Sequence, residues 1–190
     1  MRLFKNLKDW VDFRSQINGS LYIGFVPTMG SLHKGHISLI KRSTKENRYT
    51  VVSIFINPTQ FDNKNDLKKY PSNIKNDLKI LESIGVEYVI LPTEKEMYKN
   101  GYNYRISEHS YSLQMEGLSR EGHFEGVLTV VMKLLNIVQP HRTYFGEKDY
   151  QQFELIESMC KSFFMNINII SCKTIREKDG LAFSSRNLLL

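Results

Sequence analysis

The chain has 190 residues, 41% of them hydrophobic and 24% charged, an ordinary composition for one soluble globular domain with length enough to bury a core. Its two cysteines, Cys160 and Cys172, have no CxxC spacing and no histidine partner, which excludes a disulfide framework or a zinc knuckle. The net charge of +6 favours acidic partners, but the basic residues are interleaved with acids, so small anionic substrates are expected and no nucleic acid.

The first residues carry charges through their apolar positions and no later run is long enough to span a bilayer, so a cytoplasmic protein without membrane contact is expected. Residues 3–16 read as an amphipathic helix with Leu3, Leu7, Trp10, Val11 and Phe13 inward. Leu21 to Val26 reads as a buried strand that feeds a glycine-bearing turn and then a helix to about Asn47. Thr50 to Ile56 is a nearly continuous apolar run, the pattern of a parallel strand covered on both faces. Asn73 to Ile84 reads as a helix stopped at Gly85, and Val86 to Leu91 as a strand closed by Pro92. Between Thr93 and Gly122 the pattern weakens; Tyr102 to Ser107 reads as a short strand and the many tyrosines as a subunit contact. His123 to Val138 is helical, Arg142 to Phe145 a strand, Lys148 to Phe164 a helix and Ile167 to Ser171 the last strand. This β-α-β alternation predicts an α/β fold with an open, mostly parallel sheet and helices on both faces, in one domain.

Ligands of such sheets collect beyond the carboxyl ends of the strands, and several polar clusters fall there. In Pro27-Thr28-Met29-Gly30-Ser31-Leu32-His33-Lys34-Gly35-His36 a strand-turn-helix junction offers free backbone N–H groups and two imidazoles three residues apart, which suits a phosphate. Two surface histidines in a tight turn would read the same way, whereas a zinc site lacks ligands. Asn57 and Gln60, in Asn57-Pro58-Thr59-Gln60-Phe61, offer two amides apt for a hydroxy acid, or an ordinary Asn-Pro turn. Arg120 and His123 stand at a helix start, where an anion is favoured. Lys148 and Asp149 stand at another junction and suit a leaving phosphate and a ribose, or a solvated helix start. Ser184-Ser185-Arg186-Asn187 reads as a clamp for triphosphate oxygens or as a polar surface turn.

The HxGH signature resembles the nucleotidyltransferases built on Rossmann-like sheets, the superfamily that includes the class I aminoacyl-tRNA synthetases. The ordered set Pro27–His36, Asn57–Phe61, Gly122–Val127 with its continuation Thr129–Asn136, Phe145–Gln152 and Arg176–Asn187 resembles the pantothenate synthetase (pantoate-beta-alanine ligase) family over essentially the whole chain. The resemblance implies ATP-dependent condensation of pantoate with β-alanine through a pantoyl adenylate, with MgATP as substrate and a homodimer as assembly. It implies that His33, His36, Lys148 and Arg186 act on the phosphates, with Thr28, Met29, Gly146, Asp149, Ser184 and Ser185 also at ATP and adenine read by backbone near Ile175. It further implies that Gln60 and Gln152 bind pantoate, that Met29, Asn57, Arg120 and His123 lie near pantoate or β-alanine, and that Asp77 lies near Mg²⁺.

The chain departs from the family pattern at Tyr70-Pro71-Ser72 (YPR), at Arg120-Glu121-Gly122-His123-Phe124 (RPGHF) and at Phe183 (Met before SSRN). None of these removes a charge-bearing group of the core set, so tuned affinity is expected. Residues 1–190 match the family's N-terminal catalytic domain, with a smaller lid domain expected beyond Leu190 and slower turnover without it. Other readings at this stage are another HxGH nucleotidyltransferase acting on a small vitamin precursor, a nucleic-acid-binding module and an inactive ligand-binding or dimerising domain.

Overall fold

Within residues 1–19 and 21–189, which the computed structural model describes, six strands form one all-parallel sheet. They are β1 (Arg2–Phe4), β2 (Ile23–Thr28), β3 (Tyr49–Ile54), β4 (Tyr88–Ile90), β5 (Arg142–Gly146) and β6 (Asn168–Cys172), in the spatial order β1-β4-β3-β2-β5-β6. The helices are α1 (Leu7–Arg14), α2 (Lys34–Glu46), α3 (Lys64–Lys69), α4 (Ile74–Ile84), α5 (Glu94–Met97), α6 (His123–Val138) and α7 (Tyr150–Ser162). The expected domain end at Leu190 lies outside the described residues.

Alternation along the strands sorts the core into two layers. Phe25 and Val51 face α1, α6 and α7 with Trp10, Leu128, Leu135 and Ile156, whereas Val26 and Val52 face α2 and α4 with Ile40 and Leu81. The α/β class and the helices on both faces agree with the sequence reading. β2 leads to β3 on one side and β5 to β6 on the other, so the connections diverge between β2 and β5, and a crevice opens at their carboxyl ends.

α6 is apolar around most of its circumference because it is the middle of its layer. Its terminal carbonyls are satisfied by α1: Trp10 Nε1 donates to the Ile137 carbonyl (3.0 Å) and Arg14 to those of Val138 (2.9 Å) and Gln139 (3.0 Å). At the other end, left-handed Gly122 (φ 72°) opens the helix, and its Gly126 touches the 3-10 turn Pro58–Gln60.

Three expectations are corrected. The first helix does not begin at Leu3: residues 2–4 pair with β4, Asn6 caps α1 by accepting from Asp9 N, and Val11 is 47% exposed. Tyr102–Ser107 is not a strand; Arg105 bonds to the Tyr102 carbonyl and Ile106 N to the Thr129 hydroxyl, so side chains order this stretch without a ladder. The α-helix expected from Lys148 begins at Tyr150, after a 3-10 turn over Glu147–Asp149, and ends at Ser162.

Candidate active site

The first wall is the turn after β2. Gly30 (φ 83°) and Ser31 (φ 51°) are both left-handed, and a Cβ on Gly30 would lie 3.1 Å from Asp77 Oδ2. Asp77, buried on α4, accepts from the Ser31 and Leu32 N–H groups at 2.8 Å each. Each carboxylate oxygen thus faces the turn, and Asp77 does not line the crevice. Asp77 therefore lies behind the turn and not in the crevice where the expected place beside Mg²⁺ would put it; it holds the turn, because the two N–H groups need an acceptor.

The helix start is filled as well. Gly35 N–H donates to His33 Nδ1 (3.1 Å) and His33 N–H to His36 Nδ1 (3.4 Å), a capping box made by two histidines. The expected cradle of free backbone N–H groups is thus occupied at Ser31, Leu32, His33 and Gly35, while the two imidazoles line the crevice. Because each Nδ1 accepts, each proton of the neutral rings sits on Nε2. The rings lie 4.0 Å apart. Burial lowers the pKa of both, His36 to about 3, with further lowering by Lys148 and, for His36, by its companion ring. His36 lies deep among protein atoms while part of its ring surface opens on the crevice. A Cβ on Gly35 would lie 2.9 Å from the His33 ring, so only glycine lets that imidazole fold back as a cap.

The second wall is the turn after β3 and the start of α6. Asn57 is buried and its amide is saturated: Nδ2 donates to Gln60 Oε1 (3.0 Å) and the Gly126 carbonyl (3.2 Å), while Oδ1 accepts from Tyr98 (2.6 Å) and Thr59 (3.0 Å) hydroxyls. His123 Nδ1–H donates to the Gln60 carbonyl (2.7 Å), which leaves Nε2 as an acceptor. Burial lowers the His123 pKa, opposed by that carbonyl. Val127, Val130, Val131 and Leu134 of α6 form an apolar floor.

The third wall is the end of β5 and the loop after β6. Lys148 Nζ is 2.8 Å from Asp149 Oδ1, and Arg120 pairs with Glu116 at 2.5 Å. Arg186 spans the crevice to grip Asp66 of α3 through Nε (3.2 Å) and Nη2 (2.7 Å), with Tyr70 beneath its guanidinium (5.6 Å). That contact holds the Asp66 carboxyl below the usual range. Ser185 is buried and donates to the Ser31 carbonyl (3.1 Å); the Ile175 carbonyl accepts from Phe183 N (3.0 Å). Phe183 stacks on His33 (6.2 Å between centroids, 20° between planes), and Lys34 Nζ lies over its ring at 5.2 Å.

Thr28, Met29, His33, His36, Asn57, Gln60, Arg120, His123, Gly146, Lys148, Asp149, Gln152, Ile175, Ser184, Ser185 and Arg186 all line this one crevice, so every expected site residue but Asp77 is brought together. Sequence reasoning missed Asp66, Tyr98, Glu116 and Lys173. Only Glu116 left a signal, four residues before Arg120 with opposite charge.

The model of the Pantoate-beta-alanine ligase family matches residues 1–190. The chain is 54% identical to the pantothenate synthetase of Legionella pneumophila (strain Lens), over 98% of this chain and 74% of that protein. It is 50% identical to that of Coxiella burnetii (strain Dugway 5J108-111), over 98% and 72%. The crystal structure of pantoate-beta-alanine ligase from Francisella tularensis, complexed with beta-gamma ATP and beta-alanine, superposes with a TM-score of 0.98 at 48% identity, covering all of this chain and 73% of that one. Fold, crevice and sequence agree, and the chain belongs to the pantoate-beta-alanine ligase family.

Proposed function

We propose that the crevice is where this ligase holds ATP beside pantoate and then receives β-alanine. The reaction condenses pantoate with β-alanine at the expense of ATP, giving pantothenate, AMP and pyrophosphate. The pantoate carboxylate attacks the α-phosphorus to form pantoyl adenylate and release pyrophosphate; the β-alanine amine then attacks the acyl carbon and AMP departs. Neither step needs a side-chain nucleophile, so the protein's work is alignment and the stabilisation of phosphate charge.

In this reading the Nε2–H groups of His33 and His36 donate to phosphate oxygens, and Lys148 follows the charge onto departing pyrophosphate. Ser184, Ser185 and Arg186 close on the triphosphate. Gly146 and Asp149 meet the ribose; a Cβ on Gly146 would meet only one protein atom, at 4.0 Å, so protein packing does not demand a glycine there and ligand approach does. Adenine lies against backbone at Ile175, with Thr28 and Met29 at the turn. Gln60 and Gln152 read pantoate, Arg120 attracts a carboxylate, and the His123 Nε2 lone pair is suited to an amine or hydroxyl proton. Asn57 acts by holding Gln60. Mg²⁺ enters as part of substrate MgATP with its own water, since Asp77 does not line the crevice and no cluster of three or more His, Cys, Asp or Glu suited to a metal occurs among the described residues.

Residues 1–190 form the catalytic domain in this reading, its place is the cytoplasm, and a homodimer is the assembly. The exposed apolar side chains of Leu113, Met115 and Leu118 offer surface for such a contact. No helix among the described residues is long and apolar enough to cross a membrane.

The observation that carries the assignment is the convergence of five separate stretches of sequence on one crevice. Pantoate-dependent exchange of pyrophosphate into ATP tests it. Replacing His36 by alanine should lower exchange about 10²–10³-fold while costing about 1 kcal/mol of stability through the lost cap. Exchange that ignores pantoate, or that survives the substitution, would refute the assignment.

A further inference from the structure

Behind the second wall a hydrogen-bond relay starts at a residue that does not itself line the crevice. Tyr98, just after α5, has its hydroxyl 2.6 Å from Asn57 Oδ1 and 3.1 Å from the Thr59 hydroxyl. Its ring packs edge-on against Tyr102 (5.6 Å), and Lys133 Nζ lies 4.5 Å from its centroid while donating to the Met97 carbonyl. The ring is therefore held on two sides independently of its hydroxyl.

Donor and acceptor arithmetic then runs in one direction. The Thr59 N–H, which can only donate, meets one end of the Asn57 amide at 3.4 Å beside the two hydroxyls, so that end is the oxygen and the other is the NH₂ group. That NH₂ donates to the Gly126 carbonyl, which can only accept, and this fixes the same orientation from the opposite side. Its second N–H meets Gln60 at 3.0 Å, where the partner atom must be an acceptor, Oε1. The remaining end of Gln60 is then Nε2, with two protons to give and no lone pair. An amide that could present either polarity is reduced to one.

From this we propose that Tyr98 is a positioning residue that, together with Thr59 and the Gly126 carbonyl and through Asn57, holds Gln60 as an obligate hydrogen-bond donor to the acid substrate. The specificity that follows is for an acceptor at that point of the substrate, a carboxylate or a hydroxyl oxygen acting through its lone pair. A substrate presenting only a donor there is refused. The inference rests on the proposal that Gln60 meets the hydroxy acid.

Steady-state exchange kinetics on Tyr98→Phe and Gln60→Glu test it, with melting curves as a control for folding. Tyr98→Phe keeps the ring and its two neighbours and removes only the O–H. The expected result is a KM for pantoate raised about tenfold, with kcat and the KM for MgATP within about twofold of wild type. Gln60→Glu replaces the donor by an acceptor of the same shape, and pantoate should no longer saturate the enzyme. An unchanged pantoate KM in Tyr98→Phe, an equal rise of both KM values, or ordinary pantoate saturation in Gln60→Glu would each overturn the inference while leaving the ligase assignment standing. Absence of pantoate-dependent exchange in the wild type would overturn the assignment and this inference with it.

Discussion

At the scale of single residues, hydrogen-bond polarity governs this site as much as formal charge does. His36 stays neutral because burial and its neighbours pull its pKa to about 3, while its Nδ1 is committed to a backbone N–H. The unfolded chain, with histidine near 6.5, binds more protons than the folded chain between that value and about 3. Stability from this group is therefore complete above about pH 6.5 and is lost as pH falls towards 3, by up to about tenfold in the folding equilibrium per pH unit. Melting temperatures of wild type and His36→Gln measured from pH 7 to 4 should converge as the wild type declines more steeply; parallel curves would contradict the assignment of the effect to this ring. Asp77 and Asn57 teach the complementary lesson. Residue type and position pointed to ligand contact, but both side chains also bind protein partners that lie far away in sequence. No local pattern carries that information.

At the scale of elements, the close approach of α6 to the 3-10 turn after β3 positions the second wall of the crevice. A Cβ on Gly126 would lie 2.4 Å from the Thr59 carbonyl oxygen and 2.7 Å from Gln60 N, both backbone atoms that cannot swing aside. Gly126→Ala should therefore cost about 1–3 kcal/mol in denaturant unfolding, a typical overpacking penalty, and weaken pantoate binding by displacing Gln60. A variant as stable and as avid as wild type would show that the turn yields freely. The same scale explains what was legible in the sequence. α6 and α4 announced themselves by periodicity and by flanking glycine and asparagine, and the buried strands by apolar runs. β1 and α3 did not. Three residues are too few to show a period of two, Leu3 and Phe4 blend into the helical spacing of Leu7 and Trp10, and polar α3 carries no apolar stripe. The stretch from Thr93 to Gly122 was opaque because α5 is a single turn and distant side chains order the rest: Gln151 donates to the Tyr111 and Gln114 carbonyls and accepts from Glu116 N.

At the scale of the whole molecule, the crevice is a meeting of loops from both halves of the sheet, and three of its cations come already paired. Arg120, Lys148 and Arg186 each face a carboxylate, so an anion that reached them would exchange partners with an acid already there. Asp66 is the acid that joins the two halves, through Arg186. The pair is partly exposed, and such pairs contribute about 0.2–1 kcal/mol. Asp66→Asn should accordingly tighten MgATP binding by no more than about fivefold in calorimetry. Weaker binding would mean that Asp66 supports Arg186 and does not compete for it. The convergence itself was readable because each cluster followed a predicted strand, and parallel strands put all such clusters at one end.

The edge of that sheet has a consequence for how the chain is made. β1 pairs only with β4, which lies nearly half the chain away, and its Phe4 ring packs on Tyr88 as well as on Trp10 and Phe13. During synthesis β1 thus has no ladder to join until β4, the strand that receives it, has emerged, and it then seals the flank that β4 would otherwise leave open to other nascent chains.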